Sequence, residues 1–204
     1  MSAKLSAFLP RLREIEASDA GSLAHGHLVL EMATALDKAD ADEALALFDQ
    51  AEGIFRHHHA IHPDAAMAGL SHCLNNRSAL LADQEDWQAA IAAASEAVTI
   101  RRLRLAGASR TQQDAIRMDL GYSLGALARA QAGAGHLQQA IASCGDALQV
   151  LQDFAGRKQD PAFVLLGKLI GFYVQLCTMA GRKPDAALLM PLAMAFTDAS
   201  QKKS

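Results

Sequence analysis

Four short segments that open an alanine-rich stretch recur along the chain at nearly even spacing. They are Asp42-Glu43-Ala44-Leu45, Gln88-Ala89-Ala90-Ile91, Gln138-Gln139-Ala140-Ile141 and Pro184-Asp185-Ala186-Ala187. The marker alanines Ala44, Ala90, Ala140 and Ala186 lie 46, 50 and 46 residues apart. A second alanine follows seven residues after each marker, at Ala51, Ala97, Ala147 and Ala193. Seven residues is about two helical turns, so the two alanines share one helix face. A repeated unit must build its core by stacking on its neighbours, and no other feature of this chain restricts the fold so strongly.

The period within each unit is helical. Leu137, Ala140, Ile141, Cys144, Ala147, Leu148, Leu151 and Phe154 form a three-four stripe, as do Leu45, Phe48, Ala51, Ile54 and Phe55. Trp87, Ala90, Ile91, Ala94, Ala97 and Val98 do the same in the second unit. An earlier apolar-periodic stretch precedes each of these, at about 22–37, 66–83, 114–132 and 162–180. Short connections such as Gln84-Glu85-Asp86, Gly133-Ala134-Gly135 and Gly181-Arg182-Lys183 force the paired helices to run antiparallel. Pro63 and Pro161 fall in the longer links, where a helix is expected to stop, and Pro191 is expected to kink or end the last helix.

Composition narrows the function classes. Apolar residues make up 51% of 204 residues and aromatics only 5%, so alanine carries the apolar content and favours close-packed helices. A net charge of −3 with 20% charged residues excludes a disordered acidic chain and a strongly basic nucleic-acid binder. Arg101, Arg102, Arg104, Arg110 and Arg117 form a local basic patch without interleaved aromatics, which reads as solvated surface. No apolar run reaches the roughly 18–20 residues of a membrane span, and Met1–Glu16 does not read as a secretory signal. Cys73, Cys144 and Cys177 are odd in number and widely spaced, so they form no disulfide framework and the expected compartment is a reducing cytoplasm.

The pattern resembles the tetratricopeptide repeat. The best stretch is Leu74-Asn75-Asn76-Arg77-Ser78-Ala79-Leu80-Leu81, followed by Asp86-Trp87 and Ala90-Ile91. It is similar to the long variant in kinesin light chains and in arrays of bacterial signalling proteins. The resemblance implies an all-α fold: a right-handed superhelix of about four antiparallel helix pairs, with an N-terminal capping helix. The expected organisation is a cap over 1–21, a repeat domain over 22–198 with pairs near 22–62, 64–105, 112–157 and 161–198, and a flexible tail over 199–204. Leu5, Phe8, Leu12 and Ile15 place one apolar stripe on residues 1–16. That stripe suits a cap on the first repeat, or a detachable segment that fills the groove.

In such a superhelix the first helix of each pair lines the concave face, and side chains not used in packing there are free to bind. These are His72, Asn75, Asn76 and Asp83 in the second repeat, Tyr122 and Arg129 in the third, and Lys168, Phe172 and Gln175 in the fourth. In tetratricopeptide proteins the asparagine matching Asn76 often clamps a ligand main chain, because its amide both donates and accepts. Amide, aromatic and cationic groups together suit an extended peptide or an acidic helix. Val29, Leu30 and Ala33 would make the first-repeat end of the face apolar.

His57, His58, His59 and His62 are the remaining cluster, with His58 and His62 four apart on one helix face. That spacing can hold a zinc, nickel or copper ion, but the run sits at a helix end, where histidine suits the negative dipole without a metal. There is no Cys-x-x-Cys, Gly-x-Ser-x-Gly or His-Glu-x-x-His, and Ala132-Gly133-Ala134-Gly135 lacks the context of a phosphate loop. The sequence therefore predicts a non-enzymatic adaptor with no cofactor, which binds a protein or peptide and neither nucleic acid nor membrane. It is compatible with a homodimer. The alternatives are a secretion-type chaperone holding an apolar client segment, and a His-rich metal-binding helical protein.

Overall fold

The structure, a computed structural model, describes residues 3–201, and the side chains of 4–196. It is all-α. Among the described residues there are nine α-helices and no strand. They are α1 (Leu9–Asp19), α2 (Leu23–Ala35), α3 (Ala41–His58), α4 (Pro63–Asp83), α5 (Trp87–Gly107), α6 (Arg110–Gly133), α7 (Leu137–Leu151), α8 (Pro161–Met179) and α9 (Ala186–Gln201). Three short 3-10 helices, Ala3–Phe8, Lys38–Asp40 and Gln152–Phe154, complete the set. The apolar stripes seen in the sequence all fall on helices. Pro63 and Pro161 begin α4 and α8 instead of merely ending the helices before them, since the first helical position needs no N–H. Asp160 caps α8 by accepting the Ala162 N–H at 2.9 Å.

Contacts divide the chain into two units, residues 1–104 and 105–204. In the first unit α2 folds back on α3, bringing His27 edge-on to Phe55 with ring centroids 5.0 Å apart. α4 folds back on α5, so that the Ser78 hydroxyl donates to the Ala90 carbonyl at 2.8 Å. Val29, Leu30, Phe48, Phe55, Leu70 and Leu74 share one core with Ala93 and Ala97. In the second unit α6 folds back on α7 with a Ser143–Gln131 hydrogen bond of 2.8 Å, and α8 on α9 with Phe163 stacked on Phe196 at 4.3 Å.

Three of the four hairpin turns are copies of one another. Each ends its first helix with one residue in the left-handed region: Glu85 (φ 62°), Gly135 (φ 79°) and Gly181 (φ 64°). In each, the next residue's N–H reaches back to a carbonyl five residues earlier: Asp86 to Leu81, His136 to Gln131, and Arg182 to Cys177, at 2.8–3.0 Å. The left-handed residue's own N–H bonds Ala82, Ala132 or Thr178. This is the Schellman closure of a helix end. The first hairpin, which has no turn glycine, closes differently: Leu36 is extended and Lys38–Asp40 adds a 3-10 turn.

The hairpins also pack on one another in a repeated register. The Cys73 thiol on α4 donates to the Phe48 carbonyl on α3 at 3.3 Å, and the Cys144 thiol on α7 donates to the Leu169 carbonyl on α8 at 3.5 Å. Phe48 and Cys144, like Cys73 and Leu169, lie 96 residues apart, the same offset as the marker alanines Ala44 and Ala140. The α3–α4 and α7–α8 interfaces therefore use equivalent positions. The alanine pairs explain the close approach: Ala44, Ala51, Ala90, Ala97, Ala140 and Ala147 are each 0–2% exposed.

Three features set the outer repeats apart, of which the first and third differ from expectation. Val29, Leu30 and Ala33 are core residues and do not form an open apolar face. Leu5 (1% exposed) packs with Leu28 and Met32 of α2, flanked by Phe8, Leu12 and Ile15, so the N-terminal segment covers that side of the first repeat. α9 passes through Pro191 without a break and stays helical to Gln201, which shortens the expected tail at 199–204; residues 202–204 lie outside the described residues.

α8 also corrects the reading of apolar runs. Among the described residues it is the helix long and apolar enough to cross a membrane, with a window of mean hydropathy 1.6 that is 39% buried. Lys168 and Gln175 interrupt the run in sequence but do not lower its mean enough to fail that test.

Candidate functional site

The C-terminal end of α2, the link that follows it, α3 and α4 border an open cavity of about 470 Å³ in the first unit. Its apolar floor is Ala33, Leu36, Ala44, Phe48, Ala79 and Leu80. Ala33, Ala44 and Phe48 are buried, so the floor is continuous with the core. Polar groups stand only at the mouth: Asn76, Thr34, Asp37, Lys38 and Asp83. A hydrophobic hollow with a few placed polar groups has the form of a small binding site.

Each polar group has a definite state. Lys38 pairs with Asp83 at 3.2 Å. Asp37 binds Lys4 of the N-terminal segment, and that hydrogen bond holds the Asp37 carboxyl below the usual carboxylate range and the Lys4 ammonium above its own. Thr34 donates back to the Glu31 carbonyl at 2.9 Å. Asn76 is half-buried, and its side-chain amide has no hydrogen-bond partner among the described residues. An amide held over an apolar hollow without a partner has a donor and an acceptor left to offer a ligand.

The other residues expected to bind divide between the two units. His72 and Asn75 share α4 with Asn76; His72 is exposed, Asn75 is half-buried, and neither lines the cavity. In the second unit, Tyr122 (45% exposed) and Arg129 stand seven apart on the solvent side of α6. Lys168 and Gln175 do likewise on α8, and Phe172 between them is partly buried. The cavity mouth beside Asn76 carries two carboxylates, each paired with a lysine, whereas the second unit's expected contacts carry the cations Arg129 and Lys168. Sequence reasoning missed Leu36, Asp37, Lys38 and Phe48 as cavity residues. The available signal was the first connection itself, which lacks the glycine of the others and so leaves an irregular backbone beside α4.

The histidine run has structural work to do. Gly21, in the left-handed region at φ 82°, donates its N–H to His25 Nδ1 at 2.9 Å and accepts from His58 Nε2 through its carbonyl at 2.8 Å. His58 and His62 stack with centroids 6.3 Å apart. One ring nitrogen of His58 is thus committed to the backbone, and no group of three or more His, Cys, Asp or Glu among the described residues is placed to hold a metal. The basic patch is similarly absorbed: Arg104 pairs with Asp64 at 3.0 Å, Arg117 with Asp153 at 3.2 Å, and Arg101 is buried.

No protein-family model matches the chain, and no curated protein matches it.

Proposed function

We propose that this chain is a non-enzymatic protein-interaction module of the cytoplasm, whose hairpins form a tetratricopeptide-like right-handed superhelix and whose first binding subsite is the hollow beneath Asn76. The single observation that supports this is the unpartnered Asn76 amide at the mouth of an apolar cavity of about 470 Å³. An apolar side chain of a partner segment fills the hollow, and the neighbouring peptide bond takes the Asn76 amide as both donor and acceptor. Asp37 pairs with Lys4 and Asp83 with Lys38, so the rim is charge-balanced and selection rests on the apolar side chain and the Asn76 amide. Tyr122, Arg129, Lys168, Phe172 and Gln175 in the second unit, and His72 and Asn75 in the first, are further candidate contacts, each within its own unit.

Burial of Val29, Leu30 and Ala33 removes the open apolar face that motivated a client-holding chaperone, and leaves the Asn76 hollow as the apolar surface of that region. The test is a peptide array of apolar-basic and apolar-acidic segments, read with wild type and Asn76→Ala. Loss of a buried, amide-to-peptide hydrogen bond corresponds to about 1–2 kcal/mol, so binding weakens about tenfold. Unchanged binding by Asn76→Ala, with either kind of segment, overturns this assignment.

A further inference from the structure

The link between α2 and α3 walls the Asn76 hollow, and the N-terminal segment holds that link. Leu36 lines the hollow. It also packs against two apolar clusters, the core around Phe48 and the smaller group of Leu5, Leu28 and Met32. Asp37, the next lining residue, is bound by Lys4. Lys4 pairs with Asp40 as well, at 3.6 Å, across the 3-10 turn in which the Asp40 N–H donates to the Asp37 carbonyl at 3.0 Å. Two consecutive residues of the segment thus serve two consecutive residues of the wall: Lys4 grips Asp37, and Leu5 completes the cluster that backs Leu36.

The segment is attached lightly. Among the described residues before Gly21, Leu5 is the one buried side chain, at 1% exposure, and α1 has none. Around it stand partly buried Phe8, Leu12 and Ile15, and the exposed ion pairs of Lys4 and of Arg11 with Glu31. Exposed pairs contribute little and are screened by salt. No residue before Ala33 lines the hollow, so docking shapes the hollow without filling it. A wall held by one buried leucine and exposed charges can open locally while α3 and α4 stay packed.

We propose that residues 4–15 are a clamp that sets the shape of the Asn76 hollow, with Lys4 and Leu5 as its positioning residues. Docked, the clamp holds Leu36 and Asp37 in the extended backbone that forms the wall. Released, it exposes the back of Leu36 to water and parts Asp37 from Lys4, so the extended link is no longer held. A partner segment that fits the shaped hollow then binds the docked state better, and by reciprocity its binding tightens the clamp. That last step holds only if the hollow is the partner subsite proposed above; the hold on the wall does not depend on it.

The test is amide hydrogen exchange of the full chain, read at Asp40 and along α4, in wild type, Leu5→Ala, Lys4→Ala and Lys4→Arg. Asp40 is expected to exchange about tenfold faster in Leu5→Ala and about threefold faster in Lys4→Ala, with α4 unchanged. Lys4→Arg keeps the charge and should restore the wild-type rate. If Leu5→Ala loses helicity, Leu5→Val replaces it. A wild-type rate at Asp40 in the folded Leu5 variant or in Lys4→Ala overturns the proposal. So does acceleration spread evenly over α2, α3 and α4, the mark of a plain cap. The second arm repeats the peptide array with the Leu5 variant, in which Asn76-dependent segments should bind about fivefold more weakly. Unchanged binding overturns the coupling, and tighter binding would make the segment a competitor and overturn it too. An array without any Asn76-dependent segment removes the subsite itself, while the exchange rates still decide whether residues 4–15 hold the wall.

Discussion

Gly69 on α4 lies directly against the ring of Phe55 on α3. A Cβ at position 69 would meet Phe55 Cε1, Cζ and Cδ1, the last at 2.6 Å. Both neighbours are core residues, so the ring has no open side into which it can swing. Gly69→Ala gains about 1 kcal/mol of helix propensity and loses about 1–3 kcal/mol to overpacking, for a net loss on the order of 1 kcal/mol. Shrinking the ring should reverse the balance: in a Phe55→Leu background, Gly69→Ala is expected to be neutral or stabilising. The equivalent pair 96 residues on, Leu151 and Leu165, shows that a smaller residue opposite permits a larger one. Urea unfolding of the four-member cycle checks this, and equal penalties in both backgrounds would refute the coupling.

Glu85 occupies the left-handed corner that Gly135 and Gly181 fill in the other two Schellman turns. A side chain with a Cβ costs about 1 kcal/mol in that conformation. Glu85 is exposed, so its replacement removes no core contact. Glu85→Gly is expected to stabilise the chain by up to about 1 kcal/mol, with part of the gain offset by the greater entropy of unfolded glycine. Gly135→Ala and Gly181→Ala should cost a similar amount. Thermal melts that show Glu85→Gly destabilising would mean that the Glu85 side chain does something the backbone geometry does not require.

These two sites show how far the sequence was readable. Alanine spacing and the three-four stripes located the nine described helices, because burial against a neighbour leaves a periodic mark on composition. The turn glycines marked two of the three Schellman corners, but Glu85 carried no such mark. The Asn76 amide was identifiable from the resemblance to repeat proteins. The hollow below it was not, because it arises where Leu36 turns extended and Lys38–Asp40 forms a 3-10 turn, and an irregular link has no period. The same limit applies to the histidines: their spacing suggested a metal face, whereas tertiary folding aims His25 and His58 at the backbone of Gly21.

His27 should give the chain an acid-sensitive stability. Partial burial lowers its pKa below the ordinary 6.5, the nearby His72 lowers it further, and Glu31 opposes both. The folded state therefore binds this proton less readily than the unfolded chain does. Stability from this group is complete above the unfolded value and declines as pH falls through 6.5 toward the depressed folded value, below which the loss is constant. The unfolding midpoint of wild type is expected to drop between pH 7.5 and pH 5 by more than that of His27→Gln. His72→Gln should reduce the drop part of the way. Parallel pH profiles for wild type and His27→Gln would rule out His27 as its source.

Cys73 and Cys144 should behave as hydrophobic residues with a protected thiol. Burial raises both to about 12, with Glu52 adding to the effect at Cys73 and Cys177 at Cys144. Thiolate is then scarce at pH 8, and each S–H is also held by a helix carbonyl. Alkylation of these two positions in native buffer is expected to follow unfolding, with rates that rise in step with urea-induced loss of helicity. Rapid labelling of either residue in the folded protein, located by peptide mapping, would contradict the packing of α3 on α4 or of α7 on α8.

Pro191 lies inside α9 and cannot donate to the Ala187 carbonyl one turn earlier. Its ring is exposed, so the residue contributes no core packing that would compensate. Pro191→Ala restores the N–H and removes the ring clash, a change of up to about 3 kcal/mol in helix stability. α9 ends the described fold and its inward contacts rest largely on Leu192 and Phe196, so the gain should appear mostly as slower local opening. Hydrogen exchange resolved to the 186–201 peptide is expected to slow, with a smaller rise in the global melting temperature. Faster exchange in that peptide would show that the proline holds α9 in a bend its packing needs.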